Sequence, residues 1–226
     1  MAAGSRYLLL GRQGAGKGTQ ASRLAAYLHV PHISTGDMFR AAVRNGTEMG
    51  LQAKAFMERG ELVPDDVVIG VVAERLAEDD AINAGFVLDG FPRTKGQAEE
   101  LERVLYPDGL DAAIDIEVPT PEVLRRLSGR RVCTNCGATY HVDYPPSEDW
   151  RCDNDDGEVV QRDDDTEEAI TRRLDLYEAE TGPLLEYYGE VGLLTRVDGT
   201  GTVDEVFDRM LKLIQNGGVL ADRVGP

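Results

Sequence analysis

A glycine-rich stretch near the N-terminus, residues 11–20, constrains the fold more than any other part of this sequence. A short apolar run, residues 7–10, precedes it, and residues 21–28 follow with apolar side chains at helical spacing. Strand, glycine loop and helix are the setting of a phosphate-binding loop, in which backbone N–H groups and the positive helix end face an anion. Lys17 adds a compact positive charge where the β- and γ-phosphates of a nucleotide lie. The stretch predicts nucleotide phosphate binding rather than a simple turn before a helix.

Length and charge narrow the class of protein. A chain of 226 residues is long enough for one substantial core with inserted segments. Its formal net charge of −17 argues against a nucleic-acid partner, because a phosphate backbone requires positive charge. So acidic a chain, with only four lysines, predicts a protein that works in high salt, where screening weakens charge repulsion.

Cysteine usage and hydropathy indicate a cytoplasmic location. No apolar stretch approaches the roughly 20 residues that a membrane span requires, and the N-terminus has no signal-like pattern. The three cysteines fall in one segment and are odd in number, which is untypical of a disulfide framework. We therefore expect a reducing setting and no membrane partner.

Strands and helices alternate along most of the chain. The five predicted strands are residues 7–10, 32–34, 86–89, 112–118 and 193–197. Predicted helices occupy residues 21–28, 35–43, 48–58, 65–78, 94–105, 120–129 and the region from 166 onward, and a last helix runs from the capping box of Thr202 and Glu205 to Gly217. Thr35 or Asp37 is the expected cap of the second helix. This order predicts an α/β fold, a parallel five-stranded sheet with helices on both faces, whose ligands bind where the glycine loop and Asp89 fall.

The composition changes at residues 129–165, where helical periodicity disappears and Cys, Pro, Gly, Asp and Tyr dominate. Two motifs in this region, Cys133-x-x-Cys136 and Cys152-x-x-Asp155, are separated by fifteen residues. This spacing is typical of a closed, structural zinc site, which folds a small polar segment and leaves no position open for catalysis. Without a metal the cysteines would be free thiols in a segment held by hydrogen bonds. Three nearby side chains remain alternative fourth ligands: Asp153, Asp156 and His141.

Six stretches together resemble the adenylate kinases, in the form that carries a full-length lid. They are residues 11–20, 34–40, 88–94, 129–131, 162–164 and 172–173, of which the Asp-Gly-Phe-Pro-Arg run at 89–93 is highly specific. The resemblance covers nearly the whole chain. It implies a P-loop core formed by residues 1–33, 64–128 and 167–226, an insert for the nucleoside monophosphate at 34–63, and a lid at 129–166. Some adenylate kinases also carry an aspartate as the fourth lid ligand.

The resemblance implies an enzyme, a nucleoside monophosphate kinase that reversibly converts ATP and AMP into two ADP. Its substrates would be ATP, AMP and ADP, its cofactor Mg²⁺ with ATP, and structural Zn²⁺ would stabilise the lid. AMP attacks with an oxygen that is already ionised, so the reaction needs alignment and positive charge rather than a general base. We expect a cytoplasmic monomer.

Residue roles carry over position by position from the resemblance. ATP contacts are expected from Gly14, Ala15, Gly16, Lys17, Gly18, Thr19, Arg126, Arg130, Tyr140 and Gly201, with Arg126 packed on the adenine. AMP contacts are expected from Thr35, Arg40, Glu61, Leu62, Val63, Gly90, Arg93, Gln97, Arg162 and Arg173, with Gln97 reading the adenine edge. Catalysis falls to Lys17, Arg93, Arg130, Arg162 and Arg173, and Asp89 positions the hydrated Mg²⁺ ion. Gln13 and Glu61 stand where many relatives carry proline and some carry lysine, and neither side chain is expected to take part in the chemistry.

Three other interpretations stay open. A kinase for another nucleoside monophosphate, or a GTP:AMP phosphotransferase, would differ in only a few base contacts. A nucleotide-binding switch without transfer activity would not need the set of arginines. A zinc-ribbon protein that binds nucleic acid conflicts with the acidic charge of the chain.

Overall fold

The computed structural model describes residues 4–216. The strands are β1 Ser5–Leu10, β2 His32–Ser34, β3 Gly85–Asp89, β4 Ala112–Glu117, β5 Arg130–Cys133, β6 Thr139–His141, β7 Val159–Val160 and β8 Leu194–Asp198. The helices are α1 Lys17–Leu28, α2 Thr35–Arg44, α3 Glu48–Glu58, α4 Asp65–Leu76, α5 Asp79–Ala84, α6 Lys95–Leu105, α7 Thr120–Gly129, α8 Glu167–Leu176, α9 Gly182–Glu190 and α10 Val203–Asn216. In this part of the chain, no helix is both long and apolar enough to cross a membrane. The expected end of the last helix at Gly217 lies outside the described residues.

Five strands form the predicted parallel sheet, in the order β2-β3-β1-β4-β8. The central strand β1 pairs with both β3 and β4. Asp89 lies opposite Leu9, and Asp115 lies opposite Leu10, so two carboxylates reach the edge of the sheet at which β1 runs into the glycine-rich stretch. This is the carboxyl edge of the strands, where sheets of this kind bind ligands.

Alternate side chains of β1 enter two apolar layers on opposite faces of the sheet. Tyr7 and Leu9 pack with residues of α1, α7 and α10, whereas Leu8 and Leu10 pack with residues of α4, α6 and α9. All four are buried, because a parallel strand covered on both sides exposes neither of its faces. The prediction of helices on both faces is therefore confirmed.

Side-chain caps begin several of the predicted helices, and one of these caps differs from the prediction. Ser34, the last residue of β2, caps α2 by accepting a hydrogen bond from the backbone N–H of Asp37, so the expected cap at Thr35 or Asp37 was wrong. Because Thr35 already lies inside the helix, its hydroxyl is available for a contact elsewhere. The predicted capping box before α10 is present: Thr202 accepts from the N–H of Glu205, whose carboxylate accepts from the N–H of Thr202.

Two predicted helices differ in extent from the structure. The helix expected at 65–78 ends at Leu76, and extended backbone at Glu78 starts the separate helix α5. The helix expected from 166 onward consists of α8, a π-helical turn at Tyr177–Thr181, and α9. A π-helical turn contains more residues than an α-helical turn. The regular spacing of apolar residues along α8 is therefore interrupted before α9 begins.

Residues 129–166, called the cysteine segment below, contain an antiparallel three-stranded sheet in the order β6-β5-β7. Its strands are only two to four residues long, too short for an alternating pattern to show in the sequence. A small cluster of buried side chains, Cys133, Cys152 and Val159, takes the place of an apolar core.

Candidate functional site

The glycine loop, residues 11–19, curls between β1 and α1 in a conformation that glycine adopts readily. Gly11, Gly14 and Gly16 have φ angles of +134°, +81° and +99°. A Cβ on Gly14 would lie 2.8 Å from the side chain of Leu127, so the loop is also packed closely against α7. Among the described residues, none caps α1 through its side chain, and the first turn of α1 contains no acidic residue. No side chain of the helix itself therefore occupies the N–H groups at this helix start, which suit a bound anion.

Lys17 lies at the start of α1, and its ammonium group turns back over the glycine loop. Nζ donates to the carbonyl oxygens of Gly11 and Arg12 at 2.8 and 3.0 Å. Desolvation by the surrounding protein lowers the pKa of Lys17 to about 8, with nearby carboxylates opposing the shift and nearby arginines adding to it. A phosphate group beside Nζ would favour its charged form again.

Asp89 ends β3 beside the glycine loop and is buried. Its Oδ2 atom lies 3.5 Å from the position that a Cβ on Gly18 would take, so the carboxylate faces the first turn of α1. The Nε2 atom of His32 lies 4.0 Å from the same oxygen. A carboxylate next to a phosphate site supplies the oxygen chemistry that Mg²⁺ prefers, so these residues fit a hydrated Mg²⁺ ion that accompanies a nucleotide.

Arg93 and Thr35 meet over the backbone of Gly90. The Thr35 hydroxyl and Arg93 Nε both donate to the Gly90 carbonyl oxygen, at 2.9 and 2.8 Å. A Cβ on Gly90 would lie 2.9 Å from Thr35 Oγ1, so no larger residue fits there without displacement. The two terminal nitrogens of Arg93 have no hydrogen-bond partner among residues 4–216, and they remain available to an anion. Three of the predicted AMP contacts are thus together.

The Gln97 side chain lies buried behind Arg93. Its Oε1 atom accepts from the backbone N–H of Arg93 at 2.8 Å, and its Nε2 atom donates to Asp65 Oδ1 at 2.6 Å. The other oxygen of Asp65 accepts from the Thr94 hydroxyl at 2.8 Å. An amide oxygen accepts two hydrogen bonds and an amide nitrogen donates two. The oxygen and the nitrogen of Gln97 can therefore each form one more hydrogen bond, which suits a base.

Four further predicted AMP contacts belong to the helical segment, residues 34–63: Arg40, Glu61, Leu62 and Val63. Arg40 of α2 pairs with a carboxylate one turn before it. The side chain of Glu61 pairs with Arg59 at 2.7 Å and with Arg172 at 3.1 Å, so this departure from the family joins the helical segment to α8. The chain between α3 and α4 is neither helix nor strand at Leu62 and Val63.

Three arginines at and beyond the end of α7 are held by two adjacent aspartates. Arg130 binds both oxygens of Asp165, with its Nε at 2.7 Å. Arg162 and Arg173 share Asp164, through Nε at 2.8 Å and Nη2 at 2.6 Å. Burial alone would raise the pKa of Asp164, but its two arginine partners hold that pKa well below its usual range. The guanidinium groups are therefore fixed in place by ionised carboxylates.

The predicted phosphate contacts form one cluster of positive charge. Burial is the largest cause of the lowered pKa of Lys17, Arg93 and Arg130. Neighbouring cations lower each pKa further: Arg93 and Arg130 act on Lys17, Arg173 and Arg40 act on Arg93, and Arg162 acts on Arg130. Direct contacts also join these parts of the chain, because Arg173 of α8 binds both Asp164 of the cysteine segment and the Met57 carbonyl of the helical segment. A polyanion is the ligand that suits such a cluster.

Gln13 of the glycine loop contacts this cluster through its side chain. With its amide oxygen turned toward them, Gln13 accepts from Arg130 Nη2 at 3.0 Å and from Arg173 Nη1 at 2.7 Å. An amide nitrogen at that position would face two donors, so the oxygen is the atom that satisfies both.

Arg126 of α7 joins the stretches expected around the ATP base. It donates to the carbonyl oxygen of Ala15 at 3.2 Å, to that of Gly199 at 3.0 Å and to the Glu122 carboxylate at 2.9 Å. Gly201 follows in the same loop with a φ of +97°. The glycine loop, α7 and the loop after β8 therefore meet around one guanidinium group.

The predicted metal ligands of the cysteine segment come together. The ligand atoms of Cys133, Cys136, Cys152 and Asp155 all lie within 4.8 Å of one another. The sulfur atoms of Cys136 and Cys152 are 3.5 Å apart, and Cys133 Sγ lies 3.2 Å from Asp155 Oδ1. Zinc–sulfur bonds of about 2.3 Å in a tetrahedron give sulfur–sulfur edges of about 3.8 Å, so the arrangement fits a tetrahedral metal.

The alternative fourth ligands have other contacts or lie outside this group. Both ring nitrogens of His141 contact backbone atoms of nearby residues. The Asp153 carboxylate accepts from the N–H of Ser147 at 2.9 Å. Asp156 is not among the four residues whose ligand atoms converge, which leaves Asp155 as the fourth ligand that the geometry favours.

Tyr140 lies inside the cysteine segment. Its hydroxyl donates to Cys152 Sγ at 3.4 Å and accepts from the N–H of Asp153 at 2.9 Å. The ring packs against the buried cysteine cluster, and the ATP contact of Tyr140 stays a prediction.

Sequence reasoning missed four residues that organise the site. Asp164 and Asp165 had a visible signal, an acidic run directly after Arg162. Asp65 begins a predicted helix and Gln13 lies in the glycine-rich stretch, but their partners are distant in the chain, so no local pattern indicated these contacts.

Comparison with known proteins agrees with this geometry. A sequence model of the family described as adenylate kinase matches residues 9–193, which include the glycine loop, the cysteine segment and α8. The chain is 48% identical over 212 residues to an adenylate kinase of Lysinibacillus sphaericus, covering 92% of this chain and 97% of that protein. It is 57% identical over 160 residues to one of Listeria monocytogenes, covering 70% and 74%, and 51% identical over 213 residues to one of Carboxydothermus hydrogenoformans, covering 93% and 99%.

Proposed function

The chain belongs to the adenylate kinase family, and we propose that the residues gathered at the carboxyl edge of its sheet carry the family's reaction. The protein is a nucleoside monophosphate kinase, a phosphotransferase that interconverts ATP and AMP with two ADP. In this proposal residues 1–33, 64–128 and 167–226 form the core, the helical segment is the monophosphate-binding insert, and the cysteine segment is the lid.

The observation that carries the residue assignment is the single cluster of cations between the glycine loop and Arg93. Lys17 and the N–H groups of the glycine loop hold the phosphates of ATP. Thr35, Arg40 and Arg93 hold the phosphate of AMP, and the free terminal nitrogens of Arg93 face that group. Two polyanions that repel each other are thereby held in line.

Arg130, Arg162 and Arg173 stabilise the phosphoryl group as it passes between the two nucleotides. Guanidinium groups suit this task because they bind phosphate oxygens in pairs and keep their charge. Asp164 and Asp165 orient them, and no step requires a general base. Closure of the lid and the monophosphate-binding insert keeps water from taking the place of AMP.

Asp89 is the residue that would hold the water shell of Mg²⁺. The ion, when bound with ATP, neutralises part of the phosphate charge. The Asp89 carboxylate lies next to Gly18 and close to the glycine loop. It would therefore hold the positive charge of the ion beside the phosphates of ATP.

Two sets of contacts recognise the bases. Arg126 and Gly201 lie where the ATP adenine packs, because Arg126 already joins the glycine loop to the loop after β8. Gln97 reads the adenine edge of AMP with the two hydrogen-bonding positions that its contacts with Arg93 and Asp65 leave open. The backbone of Glu61 to Val63 supports the base from the helical segment.

The reverse reaction tests the proposal most directly. Protein mixed with ADP and Mg²⁺ is expected to form ATP and AMP in equal amounts, measured by anion-exchange chromatography. An analogue that joins two adenosines through five phosphates is expected to compete with both ATP and AMP. Failure to form ATP from ADP, or competition of the analogue with only one of the nucleotides, would overturn the proposed pair of sites.

A different base specificity is the second candidate. The two hydrogen-bonding positions left on Gln97 favour adenine as the acceptor base, but only two contacts are involved. The donor base would pack on the Arg126 guanidinium group and on backbone, which do not form base-specific pairs of hydrogen bonds. Initial rates with AMP, GMP, CMP and UMP as acceptors, and with ATP and GTP as donors, distinguish the two candidates.

The lid is proposed to bind Zn²⁺ through Cys133, Cys136, Cys152 and Asp155, since their ligand atoms converge and no apolar core replaces the metal in this segment. The ion has a structural role because the protein supplies all four ligands. The proposed setting is a cytoplasmic monomer that binds neither nucleic acid nor membrane, consistent with free cysteines and a net charge of −17.

A further inference from the structure

We propose that Gln13 is a positioning residue for phosphoryl transfer, holding Arg130 and Arg173 in register with the glycine loop. The Gln13 side chain accepts one hydrogen bond from each of these arginines, at 3.0 and 2.7 Å. The inference rests on the proposed roles of Arg130 and Arg173. It adds a contact from the loop itself, at a position where many relatives carry proline.

The two arginines approach Gln13 from different parts of the molecule. Arg130 begins β5 in the cysteine segment, and Arg173 lies on α8. Each is anchored on its other side by a carboxylate, Arg130 by Asp165 and Arg173 by Asp164. Gln13 is therefore the direct side-chain link that brings both guanidinium groups to the loop that holds the ATP phosphates.

A neutral acceptor suits this position. A carboxylate there would bind the arginines more strongly, but it would add a third negative charge and repel the phosphoryl group. The amide oxygen offers two lone pairs and no net charge, so it orients the cations and leaves their charge available to the substrate. Electrostatic stabilisation depends on donors that are already in place when charge develops, so this orientation is expected to act on the chemical step.

Gln13→Met tests the inference, because methionine has similar length and volume but provides only a weak acceptor. A hydrogen bond to a charged group contributes about 1.5–3 kcal/mol, so we expect kcat to fall about tenfold to a hundredfold. The KM values for ATP and AMP are expected to stay within about twofold, since the remaining phosphate contacts persist. Gln13→Ala, which removes the acceptor without adding bulk, is expected to show the same fall in kcat.

Two controls separate the possible outcomes. Gln215→Met makes the same exchange at an exposed position of α10 and is expected to leave kcat and Tm unchanged. Arg173→Ala in the same assay reports on the proposed function itself. A normal kcat in both Gln13 variants, with a large loss in Arg173→Ala, would overturn the role of Gln13 alone. A normal kcat in Arg173→Ala would instead overturn the proposed role of Arg173.

A double-mutant cycle measures the coupling in kcat between Gln13 and Arg173. A residue that only stabilised the fold would show no such coupling. If Gln13 acts through Arg173, Gln13→Met is expected to reduce kcat less in the Arg173→Ala background than in the parent, because one of its partners is gone. The inference would be contradicted if the effects of the two substitutions on kcat were strictly additive. It would also be contradicted if the Gln13 variants changed KM as much as kcat and lowered Tm.

Discussion

Gln97 and Asp65 are joined by a hydrogen bond of 2.6 Å that fixes which way the Gln97 amide faces. The Asp65 carboxylate can only accept, so the nitrogen of the amide must point to it, and the oxygen then accepts from the N–H of Arg93 at 2.8 Å. In the proposed AMP site the amide therefore presents a fixed order of acceptor and donor to the base. Adenine, with its amino donor beside a ring acceptor, matches one order, and guanine, with its carbonyl beside a ring donor, matches the reverse.

Asp65→Asn is expected to weaken discrimination between AMP and GMP. Asparagine both donates and accepts, so the Gln97 amide would no longer be held in one orientation. We expect kcat/KM for AMP to fall about tenfold and the ratio of AMP to GMP activity to fall with it, as one specific hydrogen bond contributes roughly this much. Initial rates with both acceptors measure the effect. Asp66→Asn, at the exposed next position, is the matched control, and an unchanged ratio in Asp65→Asn would contradict the assignment.

Arg93→Ala is expected to lose about 10²–10³ in kcat/KM for AMP, because it removes an oriented cation that is proposed to bind the acceptor phosphate. The fold is expected to survive with little change in Tm. Steady-state kinetics with varied AMP measure the loss, and Arg103→Ala, which removes an exposed arginine paired within α6, provides the control. Activity within a few-fold of the parent would refute the proposed role of Arg93.

Activity is expected to depend on the charge of Lys17 at moderately alkaline pH. Its pKa is lowered to about 8, so the free enzyme carries a charged ammonium group below that pH and a neutral amine above it. Only the charged form attracts phosphate, so kcat/KM for ATP should be constant below about pH 8 and fall about tenfold per pH unit above it. Lys17→Arg, which stays charged, should lack this break although its rate is lower. A profile of the parent that stays level to pH 10 would show that the amine is not required in its charged form.

The lid is expected to unfold locally when its metal is removed. Native protein should contain about one Zn²⁺ per chain by elemental analysis, and Cys152→Ser should contain far less. A chelator should lower Tm in the parent but not in Cys152→Ser. Asp155→Asn and Asp153→Asn identify the fourth ligand: only the first should lose metal, because the Asp153 carboxylate accepts from Ser147 instead. Negligible metal in the parent protein would remove this part of the proposal.

Stability is expected to rise with salt concentration, because screening reduces the repulsion within a chain of net charge −17. Melting curves in increasing NaCl should show Tm rising by several degrees, at about 2–4 °C per kcal/mol for a chain of this size. The combined variant Glu190→Lys and Asp208→Lys, at exposed positions, should show a smaller rise. Full stability of the parent in dilute buffer would contradict the prediction of a high-salt protein.

Local patterns in the sequence predicted most of the fold. The strands β1, β3 and β4 were visible because each is a short apolar run in the middle of the sheet, and the glycine loop was visible because its chemistry is confined to consecutive residues. The metal ligands were visible through their spacing, since Cys133, Cys136, Cys152 and Asp155 are the four that the structure brings together. The division of α4 from α5 was not, because no glycine or proline separates them.

The contacts that organise the site could not be predicted in the same way. Gln97 reaches Asp65 across 32 positions of the chain. Gln13 lies in the glycine-rich stretch and Arg173 in another stretch that carries the resemblance, but no local pattern indicates that their side chains meet. Such pairings follow from tertiary structure, so one sequence alone gives the residue types without the partners.

Arg172 and Arg173 connect α8 to two other parts of the proposed site. Arg172 donates to the Arg59 carbonyl at 3.3 Å, and Arg173 donates to the Met57 carbonyl at 3.0 Å while it binds Asp164. Neighbouring residues of one helix thus bind the helical segment, and Arg173 also binds Asp164 of the cysteine segment. If these two segments move as proposed, each must break a bond to the arginine pair before it separates fully from α8.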